Sequence, residues 1–255
     1  MAQRRRRKSQ QRRKGRHAGL YTLLSTILIL AAVAVACIVF FRVGEVTVQG
    51  NVRYTAQEII DVAGVEKGDN LFLLRSASIS RELRSRLPYI RDVSVRRILP
   101  DGVSITVTEG RAAAAVAQEG QWWLIDEDCK LLERVSATGG APVVTGIDPL
   151  VPAEGTYLAT EGQQSYRVER LRELLGALAE CGLLEGLDGV DLTEDYRVTF
   201  VYGGRFTVHL SPVTEEGMGY WLRRFATAAA DARVDANQNY VVEIMDEESL
   251  RFIPQ

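Results

Sequence analysis

One long apolar run stands near the N-terminus, and it precedes a series of short alternating patterns. Residues 20–41 contain no charged residue, proline or glycine. A helix of this length spans about 33 Å, which is enough to cross a hydrocarbon core of about 30 Å. We therefore predict a transmembrane helix over 20–41.

Residues 43–110 show the pattern of a small β-α-α-β-β module. Alternation at Val46 and Val48 predicts a strand. Thr55 stands three residues before Glu58, which is the capping-box spacing of a helix start. A second helix is predicted by apolar residues at every fourth position, which are Ile79, Leu83 and Leu87. Two alternating runs follow, on either side of the turn sequence Pro-Asp-Gly at 100–102. Two helices on one face of a three-stranded sheet form a sound α+β unit.

Residues 111–255 predict a second unit, a mixed and mostly antiparallel sheet with two helices. Strands are predicted near 112–116, 121–126, 197–202, 205–210 and 240–245, and helices from Ser165 and over 214–232. Gly203-Gly204 predicts a two-residue hairpin connection. Trp122 and Trp123 are adjacent on a strand and point to opposite faces, so we expect one to be buried and the other exposed or covered by the first module. The fold class is α+β throughout.

Charge is distributed very unevenly along the chain. Residues 1–17 carry nine of the 31 Lys and Arg residues and no acid, while the remainder carries 22 basic and 33 acidic residues. The positive-inside rule predicts a cytoplasmic basic tail over 1–19 and an exported C-terminal region, a single-pass type II arrangement in the plasma membrane. Such a tail touches anionic lipid, and we predict no nucleic-acid partner.

Two alternatives to an uncleaved anchor stay open near Cys37. Small residues at Ala32, Ala34 and Ala36 have the spacing of a signal-peptidase site, and a cysteine after such residues is typical of lipoprotein signals. The apolar run is longer than a signal core and continues through Phe41. The residue three before Cys37 is an alanine, where the lipoprotein pattern usually has leucine. Both features favour the anchor.

Residues with catalytic or metal-binding chemistry are few. The chain has two histidines, His17 and His209, and no nucleophile, nucleotide-binding or zinc-protease motif. Acidic clusters at 126–128 and 246–248 lack the ligand spacing of a calcium loop. Cys129 and Cys181 are favoured as small buried residues, with a single bridge between them left open. We predict no catalytic, metal or cofactor site, no small-molecule substrate and no enzyme activity.

Several strings in the chain resemble one bacterial family. They include V-x-V-x-G-N at 46–51, G-x-N-L-F-L-L at 68–74, and L-P-Y-I-R-D-V-S-V-R-R-I-L-P-D-G-V-S-I-T-V-T-E at 87–109. These resemble the POTRA module of the FtsQ/DivIB division proteins, and residues 111–255 resemble the β domain of that family. The chain departs from the family pattern at three places: the proline after residue 109 is missing, Cys129 stands in a turn where glycine is common, and Ala141 replaces a leucine.

The resemblance implies a scaffold at the division septum that regulates septal peptidoglycan synthesis. It implies two small single-pass partners, of the FtsL and FtsB/DivIC types. In the family the last strand region accepts a partner strand, which an open sheet edge permits. The corresponding residues are Val241, Val242, Glu243, Ile244 and Met245, with Phe252 as an apolar anchor. A POTRA-type chaperone or secretion module that binds extended client peptides is the alternative.

Overall fold

The computed structural model describes residues 16–162, 164–195, 197–210, 217–231, 235, 237–246 and 249–255. Most of the predicted basic tail lies outside these residues, as do 214–216 and 232 of the predicted second-unit helix and 247–248 of the second acidic cluster. The described chain forms a long helix, a three-stranded sheet and a nine-stranded sheet.

The first helix, α1, is Arg16–Phe40. Its segment Gly19–Phe40 has 22 residues and a mean hydropathy of 2.9, and its most apolar stretch packs against no other part of the described chain. Length and composition together suit this helix to crossing a membrane. The predicted span 20–41 therefore falls on a helix, except for Phe41, which follows its last residue.

The first sheet confirms the predicted β-α-α-β-β order. Its elements are β1 Glu45–Gln49, α2 Ala56–Ala63, α3 Ser76–Arg86, β2 Ile90–Ile98 and β3 Gly102–Glu109. Strand β3 lies in the middle, parallel to β1 and antiparallel to β2. Side chains from both helices and all three strands pack into one core, with Ile59, Leu83 and Ile105 fully buried.

The second sheet has the strand order β12-β11-β10-β9-β8-β7-β4-β5-β6. Its strands are β4 Ala114–Gln118, β5 Gln121–Ile125, β6 Leu131–Val135, β7 Val143–Thr145, β8 Leu187–Asp191, β9 Val198–Tyr202, β10 Phe206–Leu210, β11 Tyr240–Asp246 and β12 Ser249–Pro254. Helices α4 Gln164–Glu180 and α5 Met218–Ala229 share one core with alternate strand residues. The predicted mixed sheet with two helices is confirmed, and the whole chain is α+β.

Local details differ from the sequence predictions at three places. The β9–β10 connection has three residues, 203–205, instead of two. Trp123 is buried and Trp122 is half-buried, so neither is fully exposed. Strand β12 was not predicted at all, although residues 250–253 alternate in the manner of a strand.

The two modules meet through polar contacts at the end of the first sheet that lies away from α1. The carboxylate of Glu133 on β6 accepts a hydrogen bond from the Tyr89 hydroxyl at 2.6 Å and pairs with the Arg53 guanidinium at 3.1 Å. The buried Lys130 ammonium donates to the Ile90 carbonyl at 3.0 Å. These contacts hold the nine-stranded sheet against the first module.

Candidate partner-binding edge

Strands β10, β11 and β12 form one end of the large sheet. The chain leaves β10, passes through α5 and returns as β11, which therefore lies parallel to β10, with Phe206 opposite Tyr240. Helix α5 directs Met218, Trp221, Leu222 and Phe225 into the core. Its amphipathic pattern explains why the helix packs beside these strands.

The expectation that 241–245 form the sheet edge is wrong. Strand β11 pairs with β10 on one side and with β12 on the other, so both of its sides are occupied. Val242 is fully buried, and Val241, Glu243 and Ile244 are half-buried. Met245 lies in the same strand. The terminal strand of the sheet at this end is β12, which includes the predicted anchor Phe252.

The hydrogen-bond pattern shows which β12 groups face outward. The Gln255 amide donates to the Asn239 carbonyl at 3.0 Å, and these residues are opposite each other in the register of β11 and β12. Hydrogen-bonded and non-hydrogen-bonded pairs alternate along antiparallel strands. Ile253 and Arg251 therefore direct their backbone groups toward β11, whereas Phe252 and Leu250 direct theirs away from it. The Tyr240 amide fits this phase, because it donates to Arg205 on the β10 side at 2.9 Å.

Within the described part of the chain, no strand pairs with the outer side of β12. The outward-facing groups of β12 are the N–H and C=O of Leu250 and of Phe252 and the C=O of Pro254. Proline has no backbone N–H. Unpaired backbone groups at a strand edge form a template for another extended chain. We name these outward-facing groups the β12 edge.

The side chain of Phe252 is a core-packing group. Its ring lies 6.1 Å from that of Phe206, 6.5 Å from Phe225 and 6.1 Å from Tyr240, measured between centroids. Aromatic pairs at such distances contribute beyond the area they bury. The aromatic cluster therefore fixes β12 against the sheet and leaves the backbone of the strand at the surface.

A groove runs beside the start of the β12 edge, between that strand and α5. Its volume is about 640 Å³. The lining residues are Tyr220, Arg223, Arg224, Thr227, Ala228, Asp231, Ser249 and Leu250. The Arg224 guanidinium donates to the Tyr220 hydroxyl at 2.9 Å. A polypeptide paired with β12 passes next to this groove and is able to place side chains in it.

At the opposite end of the large sheet, the start of β6 is paired with a loop. The amide of Leu131 on β6 donates to the Thr156 carbonyl, and its carbonyl accepts from the Gly155 amide, both at 2.8 Å. Glu133, further along β6, is bound to the first module. The two ends of the sheet thus differ among the described residues, because the start of β6 pairs with the loop at 155–156 and no strand pairs with the outer side of β12.

Residues with catalytic potential are not gathered at this edge. The Nδ1 atom of His209 lies 2.9 Å from the Thr199 hydroxyl, a contact between neighbouring strands. Among the residues that the structure describes, no group of three or more His, Cys, Asp or Glu side chains has the arrangement of a metal site. The chemistry that the edge offers is backbone hydrogen bonding.

Comparison with known proteins identifies the family of the chain. The family model "POTRA domain, FtsQ-type" matches residues 41–109. The cell division protein FtsQ of Anaeromyxobacter sp. (strain K) is 32% identical over 206 residues, which cover 76% of this chain and 66% of that protein. The cell division protein DivIB of Geobacillus kaustophilus is 29% identical over 120 residues, 44% of this chain and 46% of that protein.

A solved structure of the major extracytoplasmic domain of DivIB from Geobacillus stearothermophilus has 18% identity and a TM-score of 0.27. The structural match covers 47% of this chain and 85% of the DivIB chain. At this TM-score the likeness adds no support, and the assignment rests on the sequence matches. The matches span less than two thirds of the length of either relative. With its apolar N-terminal helix and its FtsQ-type POTRA module, the chain belongs to the FtsQ/DivIB family of bacterial cell division proteins.

Proposed function

We propose that this chain is a division scaffold whose exported region binds small single-pass proteins of the FtsL and FtsB/DivIC types. The observation that carries the proposal is the β12 edge, with its outward backbone groups at Leu250 and Phe252. A partner segment in extended conformation adds a further strand there. Main-chain hydrogen bonds then give affinity, and alternate side chains give specificity.

The residues first assigned to the partner site take different roles in this proposal. Val241, Val242, Glu243, Ile244 and Met245 form the strand against which β12 is held, and Phe252 fixes β12 through the aromatic cluster. The partner itself pairs with β12. The groove beside α5 receives partner side chains, and the Arg223 guanidinium at its wall favours acidic ones.

The proposed arrangement places the scaffold across the plasma membrane at the division septum. The basic tail stays in the cytoplasm and contacts anionic lipid, and the POTRA module of about 43–110 and the β domain of about 111–255 lie outside. By holding both partners beside the membrane, the chain helps to regulate septal peptidoglycan synthesis. In this role it acts through binding, without catalysis, cofactor, nucleic acid or small-molecule substrate.

The proposal is tested most directly by removing one outward-facing backbone N–H from the β12 edge. In Leu250→Pro the variant loses the amide that faces the partner, whereas the hydrogen bonds from Arg251 and Ile253 to β11 are kept. Proline is tolerated on edge strands where the N–H faces solvent. We expect full-length Leu250→Pro, purified with co-expressed FtsL-type and FtsB/DivIC-type proteins of the same bacterium, to bind them about tenfold more weakly or worse, since each 1.4 kcal/mol is tenfold.

Arg251→Ala is the matched control, because it changes an exposed side chain of the same strand and leaves the outward backbone intact. It should retain the partners at the level of the unmodified chain. Circular dichroism and thermal melting establish that both variants are folded. Unchanged partner capture by a folded Leu250→Pro variant would show that the β12 edge is not the binding surface.

A further inference from the structure

The end of α1 is joined to the first module without a free linker. The Asn70 side-chain amide donates to the Ile38 carbonyl in the last turn of α1, at 3.0 Å. The Leu71 amide donates to the Phe41 carbonyl at 3.0 Å, and the Val43 amide to the Asp69 carbonyl at 2.8 Å. The loop at 68–74 therefore lies directly beside the point where the apolar helix ends.

A second loop lies at the same end of the module. The Gly44 amide donates to the Asp101 carbonyl at 2.8 Å, so the β2–β3 turn sits beside the residues that follow α1. Arg97 connects the two loops, because its guanidinium donates to the carbonyls of Leu71 and Leu74, each at 2.6 Å. The two loops form one fixed surface around the end of the helix.

That surface is apolar where soluble proteins are usually polar. On the first loop Phe72 is 51% exposed and Leu73 74%; beside the second, Ile98 at the end of β2 is 55% exposed and Leu99 in the turn 58%. We call these four residues the membrane-proximal patch. The ring of Phe72 also contacts that of Phe41 edge-on, at 5.1 Å between centroids. Large apolar side chains grouped at a surface are typical of interaction sites, whereas singly scattered ones are ordinary.

The patch is continuous with the exposed apolar surface of α1, where Phe40 is 80% exposed. The other end of the module carries Arg53 and Tyr89 and faces the large sheet. The eight residues of β3 separate the two ends by roughly 26 Å at about 3.3 Å per residue. The module therefore presents the apolar patch at the end next to the membrane helix, and we call the other end, which makes the polar contacts to the large sheet, the polar end.

We propose that the membrane-proximal patch enters the interfacial region of the bilayer into which α1 is inserted. This inference requires only that α1 spans a membrane, and it is independent of the β12 edge and its partners. Aromatic and aliphatic side chains at the headgroup level remove apolar surface from water. Contacts on two loops around a central helix restrict tilting of the module, so the β domain is presented at a set height and direction above the lipid.

The proposal is tested with the full-length chain alone, reconstituted into phosphatidylcholine and phosphatidylglycerol vesicles that carry brominated acyl chains. Leu73→Trp introduces a fluorophore into the patch. Val52→Trp is the matched control, because Val52 is 91% exposed on the same module but lies in the loop after β1, at the polar end. Both variants share the same three native tryptophans as background.

We expect the brominated lipid to quench the added Leu73→Trp emission several-fold more than that of Val52→Trp, with a blue-shifted maximum for Leu73→Trp only. Both positions are exposed, so neither substitution disturbs packing. Equal quenching of the two variants, whether high or low, overturns the proposal. Such a result would mean that the patch does not contact lipid and would favour a protein partner there. It would not affect the strand-pairing test at β12.

Discussion

A cysteine in a left-handed backbone conformation closes the turn between β5 and β6. Cys129 has φ of 60°, and its side chain is completely buried in the core of the large sheet. The turn is also held by Asp126, whose carboxylate accepts the amides of Asp128 at 2.9 Å and Lys130 at 2.8 Å. Cys129 and Cys181 are both free thiols in the structure, so the bridge left open by the sequence is not formed.

Cys129 is expected to be chemically inert in the folded protein. Burial raises the pKa of its thiol to about 12, and the thiolate is the form that reacts. In detergent-solubilised full-length protein at neutral pH, a thiol reagent should modify Cys129 only after denaturant is added. Peptide mass mapping locates the label, and Cys129→Ala is the control that removes the late-reacting site. Label at Cys129 in the native protein would contradict the prediction.

At the scale of elements, α2 was the helix best defined by its sequence. The Thr55 hydroxyl accepts the Glu58 amide at 3.2 Å, while the Glu58 carboxylate accepts the Thr55 amide at 2.8 Å. Gly64 ends the helix with φ of 61°, a conformation in which glycine has no steric penalty. Both ends of α2 are thus set by local chemistry that can be recognised from the residues alone.

Thr55→Ala is expected to lower the free energy of unfolding by about 1 kcal/mol, because the helix loses an N-terminal acceptor. Thr55→Ser keeps the hydroxyl, so its free energy of unfolding should stay close to that of the unmodified chain. Hydrogen bonds from Thr55 hold the pKa of Glu58 below its usual value. That contribution is present above the unfolded pKa of Glu58 and is lost as pH falls through the lower folded pKa. Thr55→Ala removes the hydroxyl bond to the Glu58 carboxylate and keeps the bond from the Thr55 amide. In urea titrations the difference between Thr55→Ala and the unmodified chain should therefore shrink in acid; a constant difference would show that the hydroxyl does not stabilise the charged Glu58.

The elements that the sequence predicted well are those whose signals are local. The capping box of α2 and the apolar stripe of α4 lie within single segments, so neither depends on distant pairing. Strand β12 was missed because its partner and its position at the edge are set by pairing across the sheet, which local alternation does not reveal. For the same reason the sheet edge was expected at 241–245, whereas the terminal strand in the structure is β12. The contacts of Glu133 could not be predicted from the sequence either, since they join residues far apart along the chain.

For the whole molecule, the junction between the two modules determines how the β12 edge is presented. Glu133 is its centre, because it binds both the Tyr89 hydroxyl and Arg53, whose guanidinium stacks on the Tyr89 ring at 3.9 Å. Burial, followed by the hydrogen bond to Glu133, raises the pKa of Tyr89. Arg91 also pairs with Glu127 across the junction. The end of the protein that carries α1 and the end that carries the β12 edge are therefore mechanically connected through this junction.

Removing the carboxylate of Glu133 should loosen this junction without unfolding either module. Glu133→Ala leaves the hydroxyl of the buried Tyr89 without its acceptor, and a buried donor left unsatisfied costs about 1–3 kcal/mol. The exposed Arg53 adds little, because surface ion pairs contribute about 0–1 kcal/mol. We expect faster amide hydrogen exchange around residues 87–91 and a lower urea midpoint. Glu173→Ala is the control, since it breaks a similar Arg–Glu pair within α4, and its effect should stay within about 0.5 kcal/mol. If the two variants exchange and unfold alike, Glu133 does not hold the modules together, and the orientation of the β12 edge must be set by Lys130 and Arg91.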